Sequence, residues 1–412
     1  MRARTEGARS DRPGSTRRQF LLGGAVVGVG AAAAIGVDHA LNRPDAGSPP
    51  PASTPMNGEE TVPFFGAHQA GIDTAAQAHG LFLALDLLDS TDREGLRRLL
   101  RILTDDAARL TQGRAALADS EPELALSPAR LTVTFGFGPR LVARAAGTGP
   151  SWLAPLPAFS IDRLQPEFSE GDLLLQIAAD DPLTVSHAAR MLLKDARSFA
   201  SLRWSQQGFR RAYGTERPGT TMRNLFGQVD GTANPQPGTA EFDEVVWAGE
   251  GWMAGGTGLV VRRIRMDLDT WDRLDRSGRE ASVGRTLANG APLTGTDEYD
   301  EPDLTATTAV GFPVIPQFAH LRRARGDDGV KIFRRAYNYD ERPTGASVSE
   351  SGLIFVSFQA DVARQYTPMQ QRLADLDLLN EWTTPIGSAV FAVPPGCREG
   401  GFIGETLWGG AP

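Results

Sequence analysis

Apolar positions along this chain fall into two rhythms that alternate. In "STDREGLRRLLRILTDDAARLTQG" (90–113), Leu96, Leu99, Leu100, Leu103 and Leu110 recur at three- and four-residue steps, which predicts a helix with one buried stripe. Thr91 and Glu94 have the spacing of a capping box at its start. In "RLTVTFGFG" (130–138) the step is two: Leu131, Val133, Phe135 and Phe137 share a face, which predicts a half-buried strand. "DLLLQIAAD" (172–180) reads as a second strand, followed by a helix over 182–199. The later half repeats the grammar, with strands over 257–269 and 352–361 and a helix carrying Leu373, Leu376 and Leu379.

The units 172–199 and 352–379 share one strand–acid–helix design. Strands and helices mix without regular βα alternation, so the fold class is α+β rather than a doubly wound parallel sheet. Two ferredoxin-like halves, 61–225 and 226–412, suit the pattern, with paired antiparallel sheets inside and helices outside. The stretch 277–330 is rich in Gly, Asp and Thr and reads mostly as loop.

Ahead of these elements the character changes. "STRRQFLL" (15–22) places Arg17 beside Arg18, and "GGAVVGVGAAAAIGV" behind it is only weakly apolar. Residues 1–45 therefore resemble a twin-arginine (Tat) export signal rather than a stable membrane anchor. Residues 46–60 read as a disordered Pro/Ser linker, with order beginning near "VPFFGAHQAGIDT" (62–74). The first 45 residues hold seven arginines against four acids, so the net charge of −8 becomes −11 over the rest. An acidic body of this kind has no footprint for nucleic acid. Cys397 is the single cysteine, which excludes an internal disulfide, a thiolate zinc cluster and CxxCH-attached haem. Five histidines without a HExxH pair argue against a multi-histidine metal site, although one axial ligand is enough for haem.

Three places could carry chemistry. In "NLFGQVDGTANP" (224–235), glycines bracket Asp230 and permit a close backbone approach to a flat ligand; alone, the aspartate reads as a turn residue. His320, in "VIPQFAHLRRARG", follows a proline-rich loop; alone, it reads as a hydrogen-bonded structural histidine. Arg334, in "VKIFRRAYNYDERP" (330–343), lies on an alternating strand; alone, it reads as an ion-paired strand residue.

Together these motifs, with "VPFFGAHQAGI", "GGTGLVVRRIRMDLDTWDR" and "GLIFVSFQAD", resemble the dye-decolourising (DyP-type) haem peroxidases. The resemblance extends to the Tat-exported group that includes the deferrochelatase/peroxidase of ferrous-iron uptake. It covers most of the chain after the leader, and the GxxDG motif matches in full. It implies non-covalent haem b with His320 as the iron ligand, and Asp230 and Arg334 on the opposite, distal face. Gly231, Thr232 and Ala233 would approach the porphyrin, and Asp361 would orient His320. Hydrogen peroxide and an organic reductant, a dye or a phenolic, would be the substrates. Electrons from bulky reductants would travel through surface aromatics, with Trp252, Trp271, Trp382, Tyr337, Tyr339 and Tyr366 available. For each of these, packing is the commoner role. The resemblance leaves open iron-uptake components as partners, a homo-oligomer, and a periplasmic or extracellular location. The competing readings are a haem-handling protein of iron acquisition, which releases iron or carries haem, and a porphyrin-independent module of the same fold.

Overall fold

In the computed structural model the described residues are 56–145, 148–343 and 349–409. The leader and most of the 46–60 linker lie outside them. The last linker residues are ordered, against expectation: a short turn at Asn57–Glu59 is held where Ala129 and Arg130 donate to the carbonyls of Gly58 and Glu60.

The chain runs β1 (His79–Leu87), α1 (Arg93–Leu110), β2 (Thr132–Phe137), α2 (Pro139–Ala145), β3 (Leu173–Ala179), α3 (Pro182–Ala196) and β4 (Ala200–Phe209). After a crossing segment come α4 (Ala240–Val246), β5 (Thr257–Met266), α5 (Leu268–Trp271), α6 (Arg276–Val283) and α7 (His320–Arg325). The last elements are β6 (Phe333–Arg334), β7 (Tyr337–Glu341), β8 (Glu350–Gln359), α8 (Tyr366–Leu376) and β9 (Thr383–Val393).

β1 pairs antiparallel with β3 and β4, and β3 with β2, so the first half has the order β2-β3-β1-β4. β5 pairs with β8 and β9, and β8 with β6 and β7, which gives the same βαββαβ order in the second half. These are the two ferredoxin-like halves. Their edges meet at Phe137↔Ala392 and Phe209↔Asn338, and the nine strands close into a barrel-like sheet.

Alternation explains the layers. Phe82 and Ala84 of β1, Leu174 of β3, Leu259 and Val261 of β5, Ile354, Val356 and Phe358 of β8, and Phe391 of β9 fill the space between the halves. The opposite face of the first half, including Leu81, Leu83, Val133, Phe135, Leu175 and Ile177, packs on the leucine stripe of α1 and on α3. α1 is capped by Asp92, whose side chain accepts from Gly95 N at 2.6 Å. Thr91, the cap expected from spacing, instead donates its hydroxyl to Phe199 O.

β2 is buried on both faces rather than half-buried. Thr132 and Thr134, on the face expected to meet water, instead meet Gln77, the Ala70 carbonyl and Gln176. The 277–330 stretch holds α6 and α7 among its loops, and Leu379 lies in a 3-10 turn after α8. No helix among the described residues is long and apolar enough to cross a membrane.

Candidate active site

Asp230 stands at the exit of a tight hairpin. Arg223 bridges Val229, Asn224 N donates to Gln228 O, and the Asn224 side chain accepts from the amides of Phe226 and Gln228. Gly227 turns this loop at φ 79°, and Gly231 follows the aspartate at φ 135°, where a side chain would be strained. Asp230 N is anchored on Met222 O. The aspartate is therefore both a turn-flanking residue and an acid pointed at a partner.

That partner is Arg334. Its Nη1 donates to Asp230 Oδ1 at 2.7 Å, while Oδ2 has only a long contact, 3.3 Å, from Asn224 Nδ2. Arg334 is pinned from behind by Asn234: Nδ2 donates to Arg334 O at 2.7 Å, and Oδ1 accepts from Arg334 N at 3.0 Å. One side chain thus imitates a neighbouring β-strand and fixes the short strand β6. The side chains of Asp230 and Arg334 are 11% and 24% exposed, so the pair is sheltered but reachable.

His320 is the first residue of α7. Its segment has a small core of its own, Ile315, Ala319 and Leu321 with Leu293 and Leu304, and Arg322 ties it to the carbonyls of Ile315 and Leu304. His320 Nδ1 lies 2.5 Å from Asp377 Oδ2. Among the described residues the other ring nitrogen, Nε2, has no protein partner. Burial opposes a charge on the ring, but the Asp377 carboxylate outweighs it and raises the pKa above the ordinary value; the charges of Arg334 and Asp230 also reach it.

The orienting acid expected at Asp361 is therefore Asp377. Asp361 caps the next turn instead: its carboxylate accepts from Arg364 N, and its own amide donates to Gln365 Oε1. Asp377 sits between α8 and the following 3-10 turn, where Leu378 N donates to Phe318 O beside the histidine. Nothing local in the sequence marks it.

Gly231 and Thr232 line a cavity of ≈ 200 Å³ together with Asp230 and Arg334; Ala233 is exposed on the same loop and His320 lies off that cavity. The Thr232 hydroxyl donates to Glu298 at 2.9 Å. Beside the pair, Phe226, Met266, Trp271, Ala336 and Leu353 form a small core on the outer face of the second half, flanked by half-buried Met222, Leu225, Ile264, Phe355, Leu379 and Trp382. Of the aromatics expected at the surface, Trp271, Tyr337, Tyr339 and Tyr366 are buried and belong to the packed cores. His68 stacks on Trp247 with ring centroids 3.7 Å apart, and His187 is buried against Asp119.

The residues fit a haem. One imidazole offers a free nitrogen with its other nitrogen held by a carboxylate, the arrangement that fixes the tautomer of an iron-binding histidine. Half-buried apolar side chains provide a wall for a porphyrin. Among the described residues no group of three or more His, Cys, Asp or Glu could hold a free metal ion.

Comparison with known proteins agrees. Residues 69–210 match the model of the Dyp-type peroxidase N-terminal region, and 221–398 that of the C-terminal region. The chain is 38% identical over 424 residues to a dye-decolorizing peroxidase of Thermobifida fusca (strain YX), covering 97% of this chain and 98% of that protein. It is 33% identical over 417 residues to a deferrochelatase of Escherichia coli O6:K15:H31 (strain 536 / UPEC), covering 95% and 96%. The crystal structure of a DyP-type peroxidase from Cellulomonas bogoriensis superposes with a TM-score of 0.84 at 53% identity, over 86% of this chain and 100% of that one.

Proposed function

Because this chain belongs to the Dyp-type peroxidase family, whose members are haem enzymes, we propose that Asp230 and Arg334 are its distal catalytic pair and His320 its iron ligand. The observation that carries this reading is the Asp230–Arg334 contact, with Arg334 immobilised by Asn234 and His320 within electrostatic reach. When bound, haem b supplies the electrons that peroxide takes up and recovers them from an organic reductant.

The chain's own residues do the rest. His320 Nε2 would hold the iron, while Nδ1–H donates to Asp377, which keeps the ring in one tautomer and makes Nε2 a stronger donor. Hydrogen peroxide must lose a proton from one oxygen and regain it on the other as the O–O bond breaks. Asp230 Oδ2, the oxygen with only a long protein contact, is placed to carry that proton. Arg334 faces the negative charge that separates along the bond, and its fixed backbone means that no reorganisation is needed when the charge appears. Gly231 and Thr232 line the approach. Residues 15–22 support export by the Tat route, which would put the enzyme outside the cytoplasm.

The test is a stopped-flow visible spectrum of the haem-loaded protein mixed with equimolar hydrogen peroxide. The ferric Soret band should change rapidly, and Asp230→Ala or Arg334→Leu should slow the change by about a hundredfold or more. Unchanged rates in both variants would remove the pair from the mechanism. The deferrochelatase relative motivates a second reading, iron release; free porphyrin fluorescence and liberated iron, without peroxide consumption, would favour it.

A further inference from the structure

The cavity beside the catalytic pair contains a guanidinium that the peroxide chemistry does not use. Arg210 donates Nε to Ala336 O at 2.8 Å and lies over the Tyr337 ring, 5.1 Å from its centroid. Both contacts fix its plane. Its terminal nitrogens have no hydrogen-bond partner among the described residues, and no carboxylate lies within ion-pair distance of it there. Burial lowers its pKa to about 10, so it remains a cation at neutral pH.

The other charges lining this space are already committed, with one exception. Arg334 and Asp230 neutralise each other at 2.7 Å. Arg335 directs its two terminal nitrogens at the carbonyls of Thr74 and Ala75 and at Gln77 Oε1. Asp73 is the remaining carboxylate on the wall, so Arg210 and Arg335 together outweigh it. The volume of ≈ 200 Å³ is too small for a dye, since sites for drug-sized ligands start at roughly 300 Å³. It is adequate for one ring, because a cavity of about 150 Å³ accepts benzene. Met222, Pro235 and Ala336 give part of the wall an apolar character, and the hydroxyls of Thr221 and Tyr299 stand 3.4 Å apart on its rim.

We propose that this cavity binds a small organic monocarboxylate of about the size of benzoate, with its carboxylate on the two terminal nitrogens of Arg210. A planar fork of two N–H donors matches a carboxylate in a way that a lone ammonium does not. The occupant stands in front of Asp230 and Arg334, on the side from which the cavity reaches them.

The experiment is calorimetric titration of the haem-loaded protein with sodium benzoate, with benzyl alcohol as the neutral analogue and inorganic phosphate as the competing anion. Benzoate binds at one site, and benzyl alcohol and phosphate bind at least about tenfold more weakly, a difference of about 1.4 kcal/mol. Arg210→Gln weakens benzoate by a similar factor, and Arg210→Lys restores part of the affinity. Because Arg210 also holds the Ala336 carbonyl, Thr221→Phe provides a second variant that fills the cavity and leaves Arg210 in place; it abolishes binding. Equal affinity in the wild type and Arg210→Gln, phosphate binding as tight as benzoate, or a Soret shift that marks benzoate on the iron would each overturn the assignment. The titration involves no turnover, so its failure is distinguishable from failure of the peroxidase reading.

Discussion

The two halves of this molecule share one topology and finish it differently. In the first half the outer face of the sheet is fully covered: α1 buries a stripe from Leu96 to Leu110, and α3 adds Val185, Ala188, Met191 and Leu192. In the second half the counterpart of α1 is broken into α5, α6 and α7 separated by loops, and the counterpart of α3, α8, buries only Tyr366 and Ala374. The apolar groups beneath stay half-buried, and His320, Asp230 and Arg334 gather around them. One copy of the fold thus spends its outer face on stability, while the other leaves it incomplete, the face on which the proposed cofactor site lies.

The strongest way to break this comparison is to damage the covered face. Leu100 is fully buried, so Leu100→Ala should cost about 2–5 kcal/mol. If the first half is a self-sufficient scaffold, thermal melts should show the same loss with and without haem. A loss seen only in the haem-free protein would mean that the halves do not divide the labour in this way.

The second half should behave in the opposite manner. Asp377→Asn leaves a hydrogen-bonding group beside His320 but removes its charge, and should weaken haem retention by about 10–100-fold. Haem transfer to an acceptor such as apomyoglobin measures this directly. The melting temperature of the haem-free protein should move little by comparison.

The smallest effect sharpens the contrast through pH. Asp195, on α3 in the covered half, has its carboxyl pushed up to about 7 from an ordinary 3.8, first by burial and then by its contact with Asp106. The folded state therefore keeps a proton that the unfolded chain has released. This contribution to stability is complete below about pH 4, is lost as pH rises to about 7, and stays lost above it. Wild-type protein should melt a few degrees lower at pH 8 than at pH 5, and Asp195→Asn should flatten that difference. Equal slopes in both proteins would mean that the pair does not share a proton.

How far these features can be read from the sequence depends on whether their cause is local. The leucine stripe of α1, the alternation of β2 and the repeated strand–helix units are written within a few residues of one another, and they led to the paired ferredoxin-like halves. The burial of β2 on both faces was not legible, because its polar partners Gln77 and Gln176 come from distant segments. The same holds at the site. A family pattern singles out Asp230, His320 and Arg334 as candidates, whereas the acid that grips the histidine is 57 residues away in sequence and resembles any other aspartate. Asp361 was the more conspicuous choice because it follows a strand, yet the turn that starts there needs a side-chain acceptor, and that is the role it has. Asn234 was visible within its motif, but its grip on the Arg334 backbone spans 100 residues and belongs to the folded chain alone.

Asp377 has two oxygens and two tasks. Oδ2 faces His320, while Oδ1 accepts from Leu379 N and starts the turn that follows α8. A ligand that draws on the histidine therefore also draws on the first hydrogen bond of that turn, and local opening there competes with cofactor binding. In the language of amide exchange, the Leu379 proton becomes a reporter for whatever engages the proposed iron ligand, His320, on the far side of the carboxylate.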